Sequence, residues 1–351
     1  LSTKNYEPSI REEVTTLNRV DIQAQALYNT QIAGDHNISA AAVIEGREEN
    51  ERFLFGQRRY TFYTIDNIDR ASETGQTTGG WTAKRPYLSY IGRFNYDFRE
   101  KYLLEVASRY DGSYRYAPGK RWGLFTVISG GWRISEEAFI RDNVSFISNL
   151  KLRASYGNTG QDAGNAFQYI QGYSSSGGYV FNDNTYTNGY SLSALVNKNL
   201  TWYKATTTDI GIDVSLWNSK LDFSFDVYRR DRSGLLARRV QSLPNTFGAS
   251  LPEENLNSDR TVGFDFLIGH RNKIGNIEYG ANVNLNYGRT KQIYQERAPF
   301  RSSMDRYLNG QADRWQDIGW GYDVIGQFQN YDEIRNAPIE TSDRANANTL
   351  P

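Results

Sequence analysis

Apolar and polar residues alternate along this chain with a period of two, the repeat of an extended strand whose successive side chains point to opposite faces. In residues 19–28 the even positions hold Val20, Ile22, Ala24, Ala26 and Tyr28, while the odd ones include Asp21, Gln23 and Gln25. After a short turn at Ala33-Gly34-Asp35, residues 36–45 carry Ile38, Ala40, Ala42 and Ile44 on one parity. Residues 87–98 set Leu88, Tyr90, Phe94, Tyr96 and Phe98 against Ser89, Arg93, Asn95 and Asp97. Beyond Arg99-Glu100-Lys101, Tyr102, Leu104, Val106 and Tyr110 oppose Glu105, Arg109 and Asp111. The same grammar runs through 122–134, 150–156, 210–216, 221–227, 262–268 and 277–287, with Lys151, Arg153, Asp213, Asp226 and Asp265 on the polar parity. About ten strands are predicted by this template.

A β-sandwich would show the same alternation, so the connections decide. They alternate between short turns, near residues 34, 100, 218 and 273, and long segments at 48–86, 111–121, 158–200, 233–260 and beyond 290. The connection between residues 134 and 146 is longer than the other short ones, and Ser135-Glu136-Glu137 reads as a capped helix start within it. Short turns on one edge and long loops on the other describe an outer-membrane barrel. The fold expected is all-β: an antiparallel transmembrane β-barrel with short periplasmic turns and long extracellular loops. Its apolar parity meets lipid. Tyr28, Phe98, Tyr102, Tyr110, Trp122, Trp132, Tyr156 and Trp217 fall near strand ends, where interfacial aromatic girdles belong. Arg93, Asp97, Glu105, Arg109, Lys151, Arg153, Asp213, Asp226 and Asp265 then line the lumen, either as the wall against which a plug packs or as a solvated channel wall.

Composition narrows the function classes. The 351 residues include 25 Tyr, 17 Phe and 31 Gly against eight Pro, which suits an aromatic, turn-rich β protein. No stretch approaches the ~20 apolar residues of a spanning helix. Forty basic side chains balance forty acidic ones, so the one-sided basic field that nucleic acid requires is missing. The absence of cysteine removes disulfides, thiolate metal sites and thiol chemistry. The two histidines, His36 and His270, lie far apart near turns, without the local partners of a zinc site or a nucleophile–base pair. Asn182-Asp183-Asn184 lacks the glycine and distal glutamate of a calcium loop and reads as a surface turn. The adjacent pairs Glu136-Glu137 and Glu253-Glu254 do not converge as a glycosidase needs and read as solvated. No cofactor, metal or catalytic group is expected.

The long segments are rich in aromatic and amide side chains that could stack on and hydrogen-bond a sugar or peptide. Trp81, Tyr114, Tyr116, Tyr173, Tyr179, Phe181, Tyr186 and Tyr190 are the candidate cargo contacts, set against the alternative that loop tyrosines pack loops together.

Six runs carry a family resemblance. Tyr110-Asp111-Gly112-Ser113-Tyr114-Arg115-Tyr116-Ala117-Pro118-Gly119-Lys120-Arg121-Trp122-Gly123 resembles a signature hairpin of the SusC/RagA family of TonB-linked outer-membrane proteins. Gly130-Gly131-Trp132-Arg133-Ile134-Ser135-Glu136-Glu137-Ala138-Phe139 and Leu150-Lys151-Leu152-Arg153-Ala154-Ser155-Tyr156-Gly157-Asn158-Thr159-Gly160 continue it. Asn197-Lys198-Asn199-Leu200-Thr201-Trp202, Thr261-Val262-Gly263-Phe264-Asp265-Phe266 and Gly326-Gln327-Phe328-Gln329-Asn330 extend the likeness in family order, with Lys198 where the family favours proline. The resemblance implies a barrel of about 22 strands around an N-terminal plug. Residues 1–351 are then expected to be part of that barrel, lacking plug, signal peptide and C-terminal strands. It further implies TonB-dependent import of oligosaccharide or oligopeptide through the outer membrane of a Bacteroidetes-type Gram-negative bacterium. The implied partners are a SusD-like surface lipoprotein as lid and the TonB–ExbB–ExbD system acting through the plug. A non-energised porin and a soluble β-sandwich binding module are the competing readings.

Overall fold

The computed structural model describes residues 8–60, 66–181, 185–192, 195–240, 251–321, 323 and 326–336. The calcium-loop candidate at 182–184 lies outside them. The chain divides into two compact units, Leu1–Gln316 and Asp317–Pro351. In the second, the described residues contain one short helix, Tyr331–Arg335, whose N-cap Asn330 accepts from the Glu333 amide.

The first unit is built on one antiparallel sheet whose strands follow one another in chain order. They are β1 (Ser9–Ile32), β2 (His36–Arg59), β3 (Ser72–Phe98), β4 (Tyr102–Ser113), β5 (Trp122–Arg133), β6 (Ile147–Gln161), β9 (Tyr203–Leu216), β10 (Leu221–Arg238), β11 (Glu253–Ile274), β12 (Ile277–Tyr294) and the two-residue β13 (Arg314–Trp315). Between β6 and β9 the chain leaves this sheet to form a separate hairpin of β7 (Tyr173–Phe181) and β8 (Thr185–Leu192). All ten stretches expected to be strands are strands. No described helix is long and apolar enough to cross a membrane, which says nothing of a barrel that crosses with strands.

Register fixes the faces. The rung Val227–Phe264–Tyr287 continues to Ile210, and the neighbouring positions Asp226, Asp265 and Asn286 stand together on the opposite face. The same alternation carries through Phe94–Val106–Ile128–Tyr156 on one face and Asn95–Glu105–Ser129–Ser155 on the other. Rings cap the apolar face at both ends: Tyr110 stacks on Trp122 at 4.7 Å, and Phe98, Tyr102 and Trp132 form a stacked ladder at 6.4 and 6.5 Å.

On one edge of the sheet all the turns but the β5–β6 connection are short, and adjacent turns are stapled together. The Arg99 amide donates to the Asp35 carbonyl, Arg133 to Lys101, Trp217 to Phe146 and Arg271 to Lys220. Side chains repeat the motif: Arg99 donates twice to one oxygen of Asp35, and Arg133 reaches Glu100 at 3.1 Å. Arg99 and Glu100 both take positive φ, 54° and 55°, as the primed hairpin turns require.

Several expectations change, most of them at the opposite edge. Residues 48–86 are not an open loop: β2 continues to Arg59 and β3 starts at Ser72, so the hairpin stands well beyond the apolar belt. Here both faces are wet, and the period-two contrast that marks a half-buried strand fades. Segment 233–260 is likewise shortened by β10 and β11. In the connection after β5, the helix (α1, Ala138–Arg141) begins after Glu137, not at Ser135; Ile134–Glu136 is a 3-10 turn. Nor are the paired glutamates merely solvated. Glu254 holds Arg239 through two hydrogen bonds, Glu253 accepts from Gln168, Glu136 pairs with Arg133, and Glu137 takes three donors.

The buried cluster lies at the long-loop end, where Tyr116, Phe125, Leu200 and Trp202 meet and Leu236 packs against them. Phe125 sits edge-on to Trp202 at 5.4 Å, and a Cβ at Gly123 or Gly160 would run into its ring. Two measurements follow in the intact receptor. Phe125→Ala opens a cavity that neighbouring glycines cannot fill and lowers stability by about 3–5 kcal/mol, read from urea unfolding in detergent. Leu285→Lys, on the apolar face, costs about 2–4 kcal/mol in membrane-inserted stability, while Asn284→Lys on the other face costs little; equal effects would overturn the assignment of faces.

Candidate functional site

The polar face gathers the charged residues singled out from parity. Arg93 pairs with Glu105 at 2.8 Å, and Asp97 accepts from Asn37 at 3.0 Å. Arg109 engages Asp111 at 2.6 Å and Ser89 at 3.0 Å, with Glu45 at 3.5 Å. Arg153 is the hub of the second half: it grips both oxygens of Asp213 at 2.7 and 2.9 Å and reaches across β9 to Asp226 at 3.0 Å. Ser224 completes the ring by donating to Asp213 at 2.9 Å. The reach is possible because Gly211 stands between Arg153 and Asp226, where a Cβ would collide with the Asp226 carboxylate. Lys151 lies opposite Asp213, and Asp265 opposite Asp226. All nine share one face of the sheet. Asn37, Asn95, Asp97, Glu105, Lys151 and Arg153 line a concavity of about 830 Å³ there.

The face has further members beyond the nine candidates. Asp209 stands opposite Ser155, and Arg232 forms a two-pronged pair with Asp259, whose side chain is 3% exposed. Asp209 is on the polar parity of its strand in the sequence, and the Arg232–Asp259 pair is reached by extending the alternation past the apolar runs.

The loop-end aromatics separate into two groups. Tyr114 and Tyr116 are buried, which corrects their reading as cargo contacts. Tyr114 packs edge-on to Tyr87 at 5.4 Å, and Tyr116 is 1% exposed. Burial pushes the Tyr116 phenol up to about 12, opposed by the hydrogen bond its oxygen accepts from the Ala163 amide at 2.8 Å. Around it, Asp162 accepts from Ser113 at 2.8 Å and Arg115 at 3.0 Å, while the Trp202 indole donates to the Arg121 carbonyl at 2.9 Å. These bonds tie the β4–β5 connection, the end of β6 and the approach to β9 into one knot. The residues that carry the family resemblance here hold loops together.

Trp81 lies within β3, stacked on Phe53 at 5.8 Å and half exposed. Tyr173, Tyr179, Phe181, Tyr186 and Tyr190 all stand on the β7–β8 hairpin with more than half their surface open to solvent. Register puts Tyr173, Tyr186 and Tyr190 on one side of that hairpin and Tyr179 and Phe181 on the other. The structure therefore groups five of the eight candidates on a single exposed element.

At the short-turn edge, Glu137 accepts from the Tyr102 hydroxyl at 2.7 Å, Lys101 at 3.1 Å and the Trp132 indole at 3.2 Å. The Tyr102 hydrogen bond above all, with those from Lys101 and Trp132, holds its carboxyl below the ordinary range. His36 and His270 each face one tyrosine hydroxyl, Tyr96 at 2.8 Å and Tyr279 at 3.2 Å. Among the described residues no group of three or more His, Cys, Asp or Glu is placed to hold a metal.

The arrangement matches known proteins in both sequence and fold. The chain is 34% identical to TonB-dependent receptor SusC of Bacteroides thetaiotaomicron over 54% of this chain and 19% of that protein. With TonB-dependent receptors P39 and P3 of Formosa agariphila it shares 31% and 28% identity, over 77% and 75% of this chain and 25% and 26% of those proteins. It thus spans about a quarter or less of the length of these curated relatives. The fold resembles the RagAB peptide importer in its open-open state, with a TM-score of 0.72 and 21% identity over 82% of this chain and 31% of that one. The family model for the TonB dependent receptor-like β-barrel matches residues 4–349, and the chain belongs to that family.

Proposed function

We propose that the receptor containing this barrel imports oligopeptides or oligosaccharides too large for a porin across the outer membrane of a Bacteroidetes-type bacterium. The energy comes from TonB–ExbB–ExbD through a plug, and a SusD-like lipoprotein closes the extracellular side. The barrel performs no covalent chemistry of its own.

The observation that carries this reading is the charged face organised around Arg153. Arg93, Arg109 and Arg153 each pair with carboxylates across strands, so much of the wall presents ordered pairs instead of isolated charges. A plug can seat on such a wall and leave it without stripping water from an isolated charge, which would be costly. In this reading Arg93, Asp97, Glu105, Arg109, Lys151, Arg153, Asp213, Asp226 and Asp265 face the lumen and the plug. The peptide cargo in the name of the RagAB importer, whose fold this chain resembles, supports the oligopeptide side of this reading.

The exposed rings of Tyr173, Tyr179, Phe181, Tyr186 and Tyr190, with Trp81, are the surface on which cargo stacks before it enters. They sit among Ser, Thr, Asn and Gly, a composition that offers rigid aromatic area and adaptable hydrogen bonds.

Uptake of labelled oligopeptide and oligosaccharide pools by cells with and without TonB tests the reading. Accumulation disappears without TonB; cargo that still enters at the same rate by diffusion would identify a porin. In the same assay Tyr186→Ala with Tyr190→Ala raises the half-saturating cargo concentration about three- to tenfold at unchanged barrel abundance.

A further inference from the structure

The apolar face ends differently on β10–β12 than elsewhere. Its last wholly apolar rung on these strands is Val227–Phe264–Tyr287. The next toward the long-loop end is Arg229–Val262–Arg289, and the one after is Asp231–Arg260–Lys291–Trp315. Basic side chains therefore stand immediately above the apolar belt, on the same face as Val227 and Phe264. At the corresponding end of β2 and β3, Glu48 and Lys84 neutralise each other at 2.9 Å.

The arginines are held but not used up. Arg229 and Arg260 each engage Asp231 through Nε alone, Arg229 at 2.8 Å. One carboxylate is thus shared by two guanidinium groups, and the terminal nitrogens of both have no partner among the described residues. Their exposure, 52% and 38%, leaves those nitrogens accessible. Beside them Lys291 contacts Asp313 at 2.7 Å, and Trp315 lies under the Arg289 guanidinium at 4.7 Å. Asp231 holds both guanidinium groups through Nε, so two donors that a phosphate needs are already ordered.

We propose that this cluster binds the phosphate of a lipid headgroup in the outer leaflet. The height selects the source: a ligand seated on Arg229 and Arg260 has Val227, Phe264 and Tyr287 directly beneath it, where acyl chains lie. A lipid satisfies both the forks and the apolar rungs, and a free phosphate satisfies only the forks. The basic groups thereby define where the barrel sits in the leaflet and which lipids surround it.

Native mass spectrometry of the intact receptor in mild detergent, with phosphorylated and dephosphorylated lipid A as probes, tests the site. Phosphorylated lipid A is retained, and Arg229→Gln with Arg260→Gln weakens retention about tenfold or more, since each basic group near an anionic lipid surface contributes roughly a fivefold factor. Dephosphorylated lipid A binds wild type no better than phosphorylated lipid A binds the variant. Equal retention by wild type and variant, or by the two lipids, overturns the proposal. So does displacement by inorganic phosphate at concentrations comparable to the lipid, which would mark a simple anion patch. Should the double variant fail to insert, Lys291→Gln alone reads the same site, with a loss of about three- to fivefold expected and no loss counting against it.

Discussion

The constraint on which this structure depends is that a backbone amide in hydrocarbon has no water to bond with. Each N–H and C=O must find a partner in the protein, and a sheet achieves this only through unbroken ladders between neighbours. The long antiparallel pairings of β1 with β2, β2 with β3 and β10 with β11 are that solution. Once the ladders are fixed, a slip of one residue would turn Phe264 and Val227 into the lumen and Asp226 and Asp265 toward lipid, so register is set by the cost of charge in lipid as much as by hydrogen bonds. The positions of Arg153 and of the aromatic rings are consequences of that locking.

The two edges of the sheet solve opposite problems. At the short-turn edge the chain must reverse quickly while keeping neighbouring strands aligned. Arg99, Arg133 and Arg271 do this by reaching from one turn to the previous one, so alignment is passed along the rim. At the long-loop edge the segments are too long for such stapling, and alignment comes from burial: Phe125, Trp202 and Tyr116 pack where three connections meet. Alignment by short polar contacts suits turns without room for a core, while alignment by an aromatic knot leaves the β7–β8 hairpin free to present its own rings.

How much of this could be read from the sequence follows from the same physics. The ten spanning strands were legible because each has one face in lipid and one in water, which writes itself as strict alternation. The extensions of β2 and β3 were not legible, because above the membrane both faces meet water and the alternation has no cause. The turn Arg99-Glu100 carried no Asn-Gly signal for its left-handed conformation; position in the ladder, and not local preference, imposes it. The burial of Tyr116 is not legible from its neighbours in sequence, because it depends on Trp202 and Leu200, far along the chain. Charge parity identified Arg153, Asp213 and Asp226 as one face, but the reach of Arg153 across β9 depends on Gly211, a residue whose contribution is the space it leaves.

That space also explains why the charged face can be both ordered and adaptable. Arg153, Asp213 and Asp226 are each between a fifth and a third exposed, so water still reaches the cluster and screens it. A fully buried triad would gain rigidity at a desolvation cost that its own ion pairs would not recover. A fully solvated one would not hold a geometry at all. The intermediate exposure, set by one glycine and one serine beside three ions, keeps the guanidinium fixed while leaving it within reach of water. Order on this face is therefore carried by covalent spacing and register, and that is what permits its electrostatics to remain moderate.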